Sequence, residues 1–466
     1  MCRMIRQLAA ALLLSVPVSA QAMLFAVSQP QQTQSGSAGT VLKNLAVNEV
    51  ALVDFLPCPT TGAEKWGPLT CYQTMVGDTN GDGLFYEPAM FGKIDALVHV
   101  YLPGAIFTPR SVFWSPTIPM GTTISGAPGL RPGDTGRITG GGGLYGQVQR
   151  FLSAEQVQSS LGMGASAPIV VDVDAIACDP PIGIFFSLDQ DQFVNTTCGT
   201  TFVRDGDVLM IPPSAITWTP DLRVLTLTPG CALVVWSEAQ MDLFVQNANV
   251  ANASGSCVSA ITDLEALDID FLGRQFPLTF CSGTYWIPSL FFSGETTTGA
   301  ALLTTANGGQ IAQSACGPLA TTCGGGATLG NQMGLLPLSG TQGVPSYLSA
   351  LDVVGFAERF VIEPKQHVIP FGTAAQLDVY TPLPFTLIAV DIVPPNVAPH
   401  APLLPQVFFP DLYILNNTPW SMFWFGAGFT TITTPPIPVP AKLVFQAGGI
   451  VGGNIMLSTP ATVDVQ

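Results

Sequence analysis

Charged side chains are scarce in this sequence. Only 10% of its 466 residues are charged, with 15 Lys and Arg against 31 Asp and Glu. Nucleic-acid-binding proteins need clustered basic residues to contact phosphates, so this class is excluded. The presence of 48 Gly and 40 Pro argues against long helical bundles, because both residues break helix interiors. With 47% hydrophobic residues, the chain is too apolar to be intrinsically disordered.

Catalytic motifs are missing as well. The sequence lacks a Gly-x-Ser-x-Gly elbow, a His-Glu-x-x-His motif and a Gly-x-x-x-x-Gly-Lys phosphate loop. Its three histidines are far apart, at His99, His367 and His400. His99 lies in an apolar strand and is expected to pack in the core. Acidic pairs at Asp189 with Asp191 and Asp268 with Asp270 have the residue types of a glycosidase, but a surface or metal-turn role is favoured. The sequence therefore leans towards a protein that is not an enzyme.

The first 22 residues predict a secretory signal peptide. Arg3 and Arg6 precede the apolar segment Leu8–Val16, and cleavage is expected after Ala20 or Ala22. No later apolar stretch is long enough to cross a bilayer, so no integral membrane segment is expected after cleavage. We therefore expect a protein that is secreted or held in the cell envelope.

Export makes disulfides the default use of the cysteines. Of the 10 cysteines, Cys2 leaves with the signal peptide, so an odd number remains. Pairing of sequence neighbours is one possible scheme, although spacing does not fix connectivity. Cys281 is then left as a buried, inert thiol. The pairs in this scheme are Cys58–Cys71, Cys178–Cys198, Cys231–Cys257 and Cys316–Cys323.

Short apolar runs bounded by Gly, Pro, Asn and Asp predict an all-β fold. Runs such as Leu97–Leu102 and Gly183–Leu188 have the length and composition of strands. Many are apolar throughout, which indicates strands covered on both faces. Helical periodicity is clearest at Ser153–Met163, where Ser153 is expected to cap a helix.

A weak internal repeat accompanies these strands. An acidic residue followed by Ala and then Leu or Ile occurs at Asp95, Asp174 and Glu265, and Ser349–Asp352 is a looser copy. A β unit that cannot bury its own sheet face must stack on its neighbours. We therefore predict repeated antiparallel β units in a propeller-like arrangement or, alternatively, in stacked β-sandwiches.

Further features occur in the same order in the first two units. They are an aromatic-Ser strand end (Phe113-Trp114-Ser115 and Phe185-Phe186-Ser187), a Gly-Asp pair (Gly133-Asp134 and Gly206-Asp207) and a Ser-x-x-Gln segment (Ser153–Val157 and Ser237–Met241). The third unit has Phe291-Phe292-Ser293 without a clear Gly-Asp pair.

These signals divide the chain into segments. The predicted segments are a signal peptide (1–22), an N-terminal segment with a calcium loop (23–90), repeated β units (91–393, approximately 91–170, 171–260, 261–345 and 346–393), a Pro-rich linker (394–405) and a small C-terminal β domain (406–466).

One short motif carries recognisable chemistry. Asp78, Asn80 and Asp82 occupy alternate positions and Gly83 follows them. This pattern resembles the calcium loop of EF-hand and dockerin modules over residues 78–87. The resemblance implies a structural Ca²⁺ held by these three oxygen-bearing side chains. The other interpretation is an Asn-Gly and Asp-Gly turn without metal.

The resemblance also implies ligands later in the loop. A backbone carbonyl near Leu84 or Tyr86 would contribute, and Glu87 would close the shell. An EF-hand has its bidentate acid at the twelfth position of the loop, where this chain has Ala89. Glu87, or Asp95 further on, must therefore replace it, which indicates an isolated loop rather than a helix-loop-helix.

Two functions from different classes remain open. The leading interpretation is a secreted, calcium-stabilised, non-catalytic β protein with a structural or adhesive role, whose partner is a glycan or a cell-surface component. The alternative is a glycan-binding protein or a glycoside hydrolase that uses exposed aromatic side chains with carboxylates. The tryptophans considered for this role are Trp114, Trp218, Trp236, Trp286, Trp420 and Trp424.

Overall fold

Strands form most of the structure, which confirms the all-β prediction. In this computed structural model, most of the described residues lie in strands, which form many small antiparallel sheets. The structure describes residues 21–35, 41–54, 64–68, 92–100, 112–120, 128–138, 148–164, 171–250, 256–261, 263–270, 274–294, 302–311, 313–314, 317–318, 323, 335–337, 348–355, 361–366, 368–381, 385–393, 420–425, 428–451, 454–457 and 461–466.

The elements follow one another in three stretches of the chain. The first contains β1 (Gln21–Val27), β2 (Gln31–Ser35), β3 (Val41–Leu45), β4 (Glu49–Asp54), β5 (Glu64–Pro68), β6 (Ile94–His99), β7 (Val112–Pro116), β8 (Thr135–Ile138), β9 (Val148–Leu152) and helix α1 (Ala154–Ser160). The second contains β10 (Val173–Asp179), β11 (Gly183–Leu188), β12 (Gln192–Thr196), β13 (Gly199–Val203), β14 (Val208–Ile211), a 3-10 turn (Pro213–Ala215), β15 (Ile216–Trp218), β16 (Val224–Leu227), β17 (Leu233–Trp236) and helix α2 (Glu238–Ala248).

The third stretch begins with β18 (Leu264–Ile269), β19 (Gln275–Phe280), β20 (Gly283–Pro288), β21 (Leu290–Gly294), β22 (Leu303–Thr304), a 3-10 turn (Ala306–Gly308), β23 (Gln310–Ile311), β24 (Gln313–Ser314), β25 (Gly317–Pro318), β26 (Leu335–Pro337) and β27 (Leu348–Gly355). It ends with β28 (Val361–Pro364), β29 (Val368–Ile369), β30 (Gln376–Thr381), β31 (Phe385–Val393), β32 (Trp420–Phe425), β33 (Gly428–Thr433), β34 (Ala441–Val451), β35 (Asn454–Leu457) and β36 (Ala461–Val465).

Four four-stranded sheets surround a common axis. Their strand orders are β6-β7-β8-β9, β10-β11-β14-β17, β18-β21-β22-β23 and β27-β1-β4-β5. The edge strands β6, β10, β18 and β27 contact one another in a closed circuit. We call this assembly the ring, and these four edge strands its inner strands.

Each inner strand carries a β-bulge at the same place. The register with the neighbouring strand shifts across Asp95, Asp174, Glu265 and Ser349, so each of these residues is left without an opposite partner. These are the four copies of the sequence pattern described above. A bulge adds one residue to a strand and redirects the local side chains, so the shared pattern has a geometric counterpart in all four sheets.

Small residues face each other next to the bulges. The alanine that follows each bulge lies opposite Ser115, Ser187 and Ser293 in the first three sheets and opposite Ala26 in the fourth. Ser187 donates a hydrogen bond of 2.9 Å to the carbonyl of Leu264, which begins the inner strand of the next sheet. In the second sheet, the aromatic-Ser strand end therefore provides a contact with the third.

The N-terminal segment completes the ring. Strands β1 and β4 pair with each other, and β1 pairs along its length with β27, more than three hundred residues later in the chain. Strand β1 begins at Gln21, next to the predicted cleavage positions, and Met23, Leu24 and Phe25 are fully buried. Strands of the N-terminal segment therefore share one sheet with a strand of the fourth predicted unit.

Hydrophobic cores lie between adjacent ring sheets, including one in which Phe25 of the fourth sheet packs with Phe291 of the third. Phe113, Phe151 and Phe186 pack in a core shared by the first and second sheets, and Phe185 and Phe292 in one shared by the second and third. Burying one such side chain contributes about 1.5–3 kcal/mol to folding. This explains why the strands are apolar on both faces.

Both helices begin at a Ser-x-x-Gln capping box. The structure confirms the predicted cap at Ser153, whose Oγ accepts a hydrogen bond of 3.3 Å from Gln156 N. Gln156 Oε1 in turn accepts a hydrogen bond of 2.9 Å from Ser153 N. In α2, Gln240 Oε1 accepts a bond of 2.9 Å from Ser237 N. The second copy was visible in the sequence only as a correspondence with the first.

The C-terminal strands form two further sheets. One has the order β28-β30-β33, and the other the order β29-β36-β34-β31-β32 with β35 pairing β34. Strand β31 pairs with β32 and β34, which follow the Pro-rich segment 394–405. Strands before the predicted linker thus belong to the same sheet as strands after it.

Two disulfides correct the predicted pairing scheme. Cys198 is bonded to Cys281, which was expected to be unpaired, and Cys257 is bonded to Cys323. Cys178 and Cys231 are buried free thiols. The three predicted pairs that contain Cys198, Cys257 or Cys323 were wrong, because the observed partners come from hairpins and loops that are distant in sequence, at separations of 83 and 66 residues. Cys58, Cys71 and Cys316 lie outside the described residues.

Candidate functional site

The bulges bring acidic residues to one end of the ring axis. Asp95, Asp174 and Glu265 come from the first, second and third sheets, and each is at least 95% buried. Two positions before each of them lies another charged residue, at Lys93, Asp172 and Asp263. We call this region the bulge end of the ring.

Lys93 contacts carboxylates from two sheets. Its Nζ lies 2.8 Å from Glu265 Oε2 and 3.6 Å from Asp95 Oδ1. Burial lowers the pKa of Lys93, but the charges of Glu265 and Asp95 outweigh this effect and raise it, so the ammonium stays protonated. Lys93 therefore connects the first sheet to the third.

Three carboxylates lie close enough to share one ligand. Asp174, Asp263 and Glu265 each offer an oxygen, and these oxygens all lie within 4.8 Å of one another. Asp174 and Glu265 are buried, whereas Asp263 is half-buried. Carboxylate oxygens at this spacing can bind a hard divalent cation.

Burial and mutual repulsion make these acids reluctant to ionise. Burial and then the charge of Glu265 raise the pKa of Asp263 to about 8. Burial, followed by the charges of Glu265 and Asp263, also raises the pKa of Asp174. The pKa of Asp95 rises to about 8 because burial outweighs the opposite effect of Lys93. Such crowding of buried carboxyls is found at functional sites more often than elsewhere.

The opposite end of the ring axis holds a different set of charges. His99 Nδ1 lies 2.7 Å from Asp352 Oδ1, and this contact joins the first inner strand to the fourth. The carboxylate of Asp268 accepts a hydrogen bond from Val353 N, and burial, followed by the charge of Asp352, raises its pKa. His99 is thus half of a polar pair rather than the apolar core residue that the sequence predicted.

A free thiol at this end is not activated. Burial raises the pKa of Cys178 well above its ordinary value, and the nearby carboxylates raise it further. A nucleophilic cysteine needs the opposite shift, towards the thiolate. Cys178 therefore behaves as a buried apolar residue.

An open cleft lies beside α1. Its volume is about 620 Å³, and Arg131, Arg150, Ser153 and Glu155 contribute to its lining. Both arginines contact Asp134, and Arg131 also contacts Glu155. These charges are already neutralised within the protein, so the cleft presents no free anion-binding group from them.

The predicted calcium ligands fall outside the described residues. This applies to Asp78, Asn80, Asp82, Leu84 and Glu87. The calcium loop therefore stays a prediction.

The other sequence candidates separate by burial. Asp189 and Asp191 are exposed as expected, but Asp268 and Asp270 are buried, so the surface interpretation was wrong for that pair. Among the tryptophans, Trp114 and Trp236 pack in the core and are not available to a ligand, whereas Trp286 is 61% exposed.

Sequence reasoning missed the bulge end as a site. Asp174 and Glu265 were recognised only as repeat markers, and Asp263 was not singled out. The available signal was the charged residue two positions before each of the three acidic bulge residues. No sequence pattern could predict that the second and third sheets pack together at the axis.

Comparisons with known proteins do not assign the chain to a family. No protein family matches the chain, and no curated protein matches it. Among solved structures, the native conformation of E. coli alpha-2-macroglobulin is similar with 9% identity and a TM-score of 0.20, over 97% of this chain and 31% of that one. Salmonella alpha-2-macroglobulin reacted with methylamine gives 9% identity and a TM-score of 0.19, over 96% and 31%. This chain spans less than a third of either protein, and scores this low support no conclusion about fold or function.

No helix among the described residues is long and apolar enough to cross a membrane.

Proposed function

We propose that this chain is an extracytoplasmic β scaffold with a structural or adhesive role, in which disulfides and bound calcium add rigidity. The observation that carries the proposal is the bond between Cys198 and Cys281, which lie in the turns of the β12–β13 and β19–β20 hairpins with their Cα atoms 5.5 Å apart. Disulfides of this kind are typical of oxidising compartments. The predicted signal peptide supports the same location.

Repetition of one unit fits a scaffold. We infer that the four ring sheets are copies of one β unit, since each has its bulge at the same place and the first two dock a capped helix in the same way. Such units bury their faces only against one another.

Calcium at the loop of residues 78–87 is the second part of the proposal. The ligands would be the side chains of Asp78, Asn80, Asp82 and Glu87 and the backbone carbonyl of Leu84. The loop precedes β6, so a bound ion would stabilise the entry to the first ring sheet. Extracellular calcium is concentrated enough to fill sites of modest affinity.

Melting curves test the calcium loop. We expect calcium to raise the Tm of the mature chain by a few degrees over its value in chelator, because a ligand that binds only the folded state stabilises it. Asp82→Ala should reduce this gain, whereas Asp221→Ala, which removes a carboxylate from a turn elsewhere, should leave it unchanged. An undiminished gain in Asp82→Ala would exclude the loop as a calcium site.

Glycan binding is a second candidate function, favoured by exposed aromatic rings. Trp286 lies on β20 and is 61% exposed, and Phe193 on β12 is 71% exposed. The ring of Phe193 lies 4.9 Å from that of Phe202 on β13. Aromatic faces are suited to stacking against sugars, and the disulfide joins the two hairpins that present them.

A glycan array with parallel hydrolysis assays tests this candidate. Binding that is lost in Trp286→Ala and kept in Leu225→Ala, which removes an exposed side chain from another hairpin, would favour recognition of a glycan. Release of sugar that is lost when one particular carboxylate is substituted would instead show that the protein is a glycoside hydrolase, and the proposal of a scaffold would be wrong.

A further inference from the structure

We propose that the bulge end of the ring axis is a calcium site, with the carboxylates of Asp174, Asp263 and Glu265 as its protein ligands. This site is distinct from the loop of residues 78–87 and goes beyond the function proposed above. It would join the second ring sheet to the third through a metal ion.

The distances fit one coordination shell. Calcium binds oxygen at about 2.3–2.6 Å, so two ligands on opposite sides of the ion lie about 5 Å apart. The three carboxylate oxygens lie within 4.8 Å of one another. A single ion can therefore contact all of them without a change of backbone, and water can fill the remaining positions.

An unsatisfied oxygen points to a missing ligand. Asp174 is only 4% exposed, and its Oδ2 has no hydrogen-bond partner among the residues that the structure describes. A buried carboxylate oxygen without a partner is costly, and native structures satisfy nearly all such atoms. A cation beside this oxygen would supply the interaction that the protein lacks.

The single positive charge of Lys93 cannot balance all the carboxylates at the bulge end. Five carboxyls surround this end of the axis, and the ammonium of Lys93 pairs with those of Glu265 and Asp95. The other three belong to Asp172, Asp174 and Asp263. Asp174 and Asp263 have no such ion pair in the described part of the chain. A divalent ion would balance these two charges.

The geometry also explains the choice of ligands. Asp174 is the bulge residue of β10 and Glu265 that of β18, while Asp263 lies just before β18. Bulges are frequent next to functional sites because they redirect a side chain. Asp95, the bulge residue of the first sheet, is paired with Lys93, and Ser349, that of the fourth sheet, carries no charge. The acids that remain without an ammonium partner lie on the adjacent second and third sheets.

Calcium titration of the mature full-length chain tests the site. To remove the loop, the measurements start from Asp82→Ala. We expect this protein to bind one calcium ion by isothermal titration calorimetry. Adding Asp174→Asn or Glu265→Gln should weaken the binding at least about tenfold. Adding Asp378→Asn, which neutralises a buried acid in the C-terminal sheet, should not change it.

A second measurement separates loss of the ion from loss of the fold. In chelator, Asp174→Asn should melt no lower than its parent, because the amide is neutral and avoids the cost of ionising a buried carboxyl. In calcium, it should lose the rise in Tm that the parent shows. Equal calcium binding with and without Asp174→Asn would overturn the proposal, as would the absence of binding in Asp82→Ala.

The two calcium sites fail separately in this design. If the natural sequence binds one calcium ion and Asp82→Ala abolishes this binding, the site at the bulge end is wrong and the loop is supported. If Asp174→Asn abolishes the binding of that ion and Asp82→Ala does not, the site at the bulge end is supported and the loop is wrong.

Discussion

The first two ring sheets dock their helices in the same way. Asp134 Oδ1 accepts a hydrogen bond of 3.0 Å from Ala154 N, the first residue of α1, and Asp207 Oδ1 accepts one of 2.6 Å from Glu238 N, the first residue of α2. Each aspartate also accepts a bond from the backbone N–H three residues before it. The Gly-Asp pair of the sequence is therefore a helix-docking device in both sheets.

The two aspartates differ in their charged neighbours. Asp134 also contacts the guanidinium groups of Arg131 and Arg150, at 3.3 and 3.0 Å. Burial alone would raise its pKa, but the hydrogen bonds from these arginines and from Ala154 N lower it. Burial prevails at Asp207, whose pKa is raised despite its backbone bonds. Backbone donors thus fix the position of the carboxylate, and the arginines decide how readily it ionises.

The second sheet is held by a disulfide. The described part of the first sheet contains no equivalent bond. Its β12–β13 hairpin is an insertion between β11 and β14, and Cys198 in its turn is bonded to Cys281. The first sheet depends on its core and its arginines instead. The same architecture is therefore stabilised by different means in neighbouring units.

Removal of this disulfide should have the largest effect. Cys198→Ser with Cys281→Ser opens a link across 83 residues, and chain-entropy arguments give a loss of about 4.5 kcal/mol in the free energy of unfolding. Urea unfolding without reductant measures it. Ser282→Ala, next to Cys281, is the matched control.

Hydrogen exchange sharpens the comparison between the two sheets. Protection should fall in β12–β13 and β19–β20 of the disulfide variant and persist in β7–β9. An equal loss of protection in all these strands would mean that the bond supports the ring as a whole.

Local patterns predicted local structure well. Apolar runs between turn residues identified the strands, and Ser153 with its following Gln identified a helix start, because capping depends on residues three positions apart. The acidic-Ala-Leu pattern marked positions that turned out to be bulges. These features depend on neighbours within the same segment, which a single sequence displays.

Long-range partners could not be predicted. Cys281 was assigned no partner, and nothing in β1 indicates that it pairs with β27. His99 looked like a core residue because its partner Asp352 lies on another inner strand. The cluster around Asp174 was missed for the same reason, since its members meet only when the second and third sheets pack together.

Neutralising the two docking aspartates should have unequal effects. At pH 7, Asp134→Asn should cost about 2 kcal/mol in the free energy of unfolding, because it loses charge-assisted bonds to two arginines that are themselves partly solvated. Asp207→Asn should change stability by less than about 1 kcal/mol, since the amide oxygen can still accept both backbone hydrogen bonds. Urea unfolding of both variants beside the natural sequence measures the difference.

The pH dependence of these two variants should have opposite signs. Asp134 has a lowered pKa, so its contribution is present above its unfolded value of 3.8 and is lost as the pH falls through its folded value. The gap between Asp134→Asn and the natural sequence should therefore narrow on acidification towards pH 3. Asp207 has a raised pKa, so the natural sequence should lose stability relative to Asp207→Asn as the pH rises above 3.8. Parallel slopes for the two variants would show that the arginines beside Asp134 do not set its charge state, and that the two sheets hold their helices alike after all.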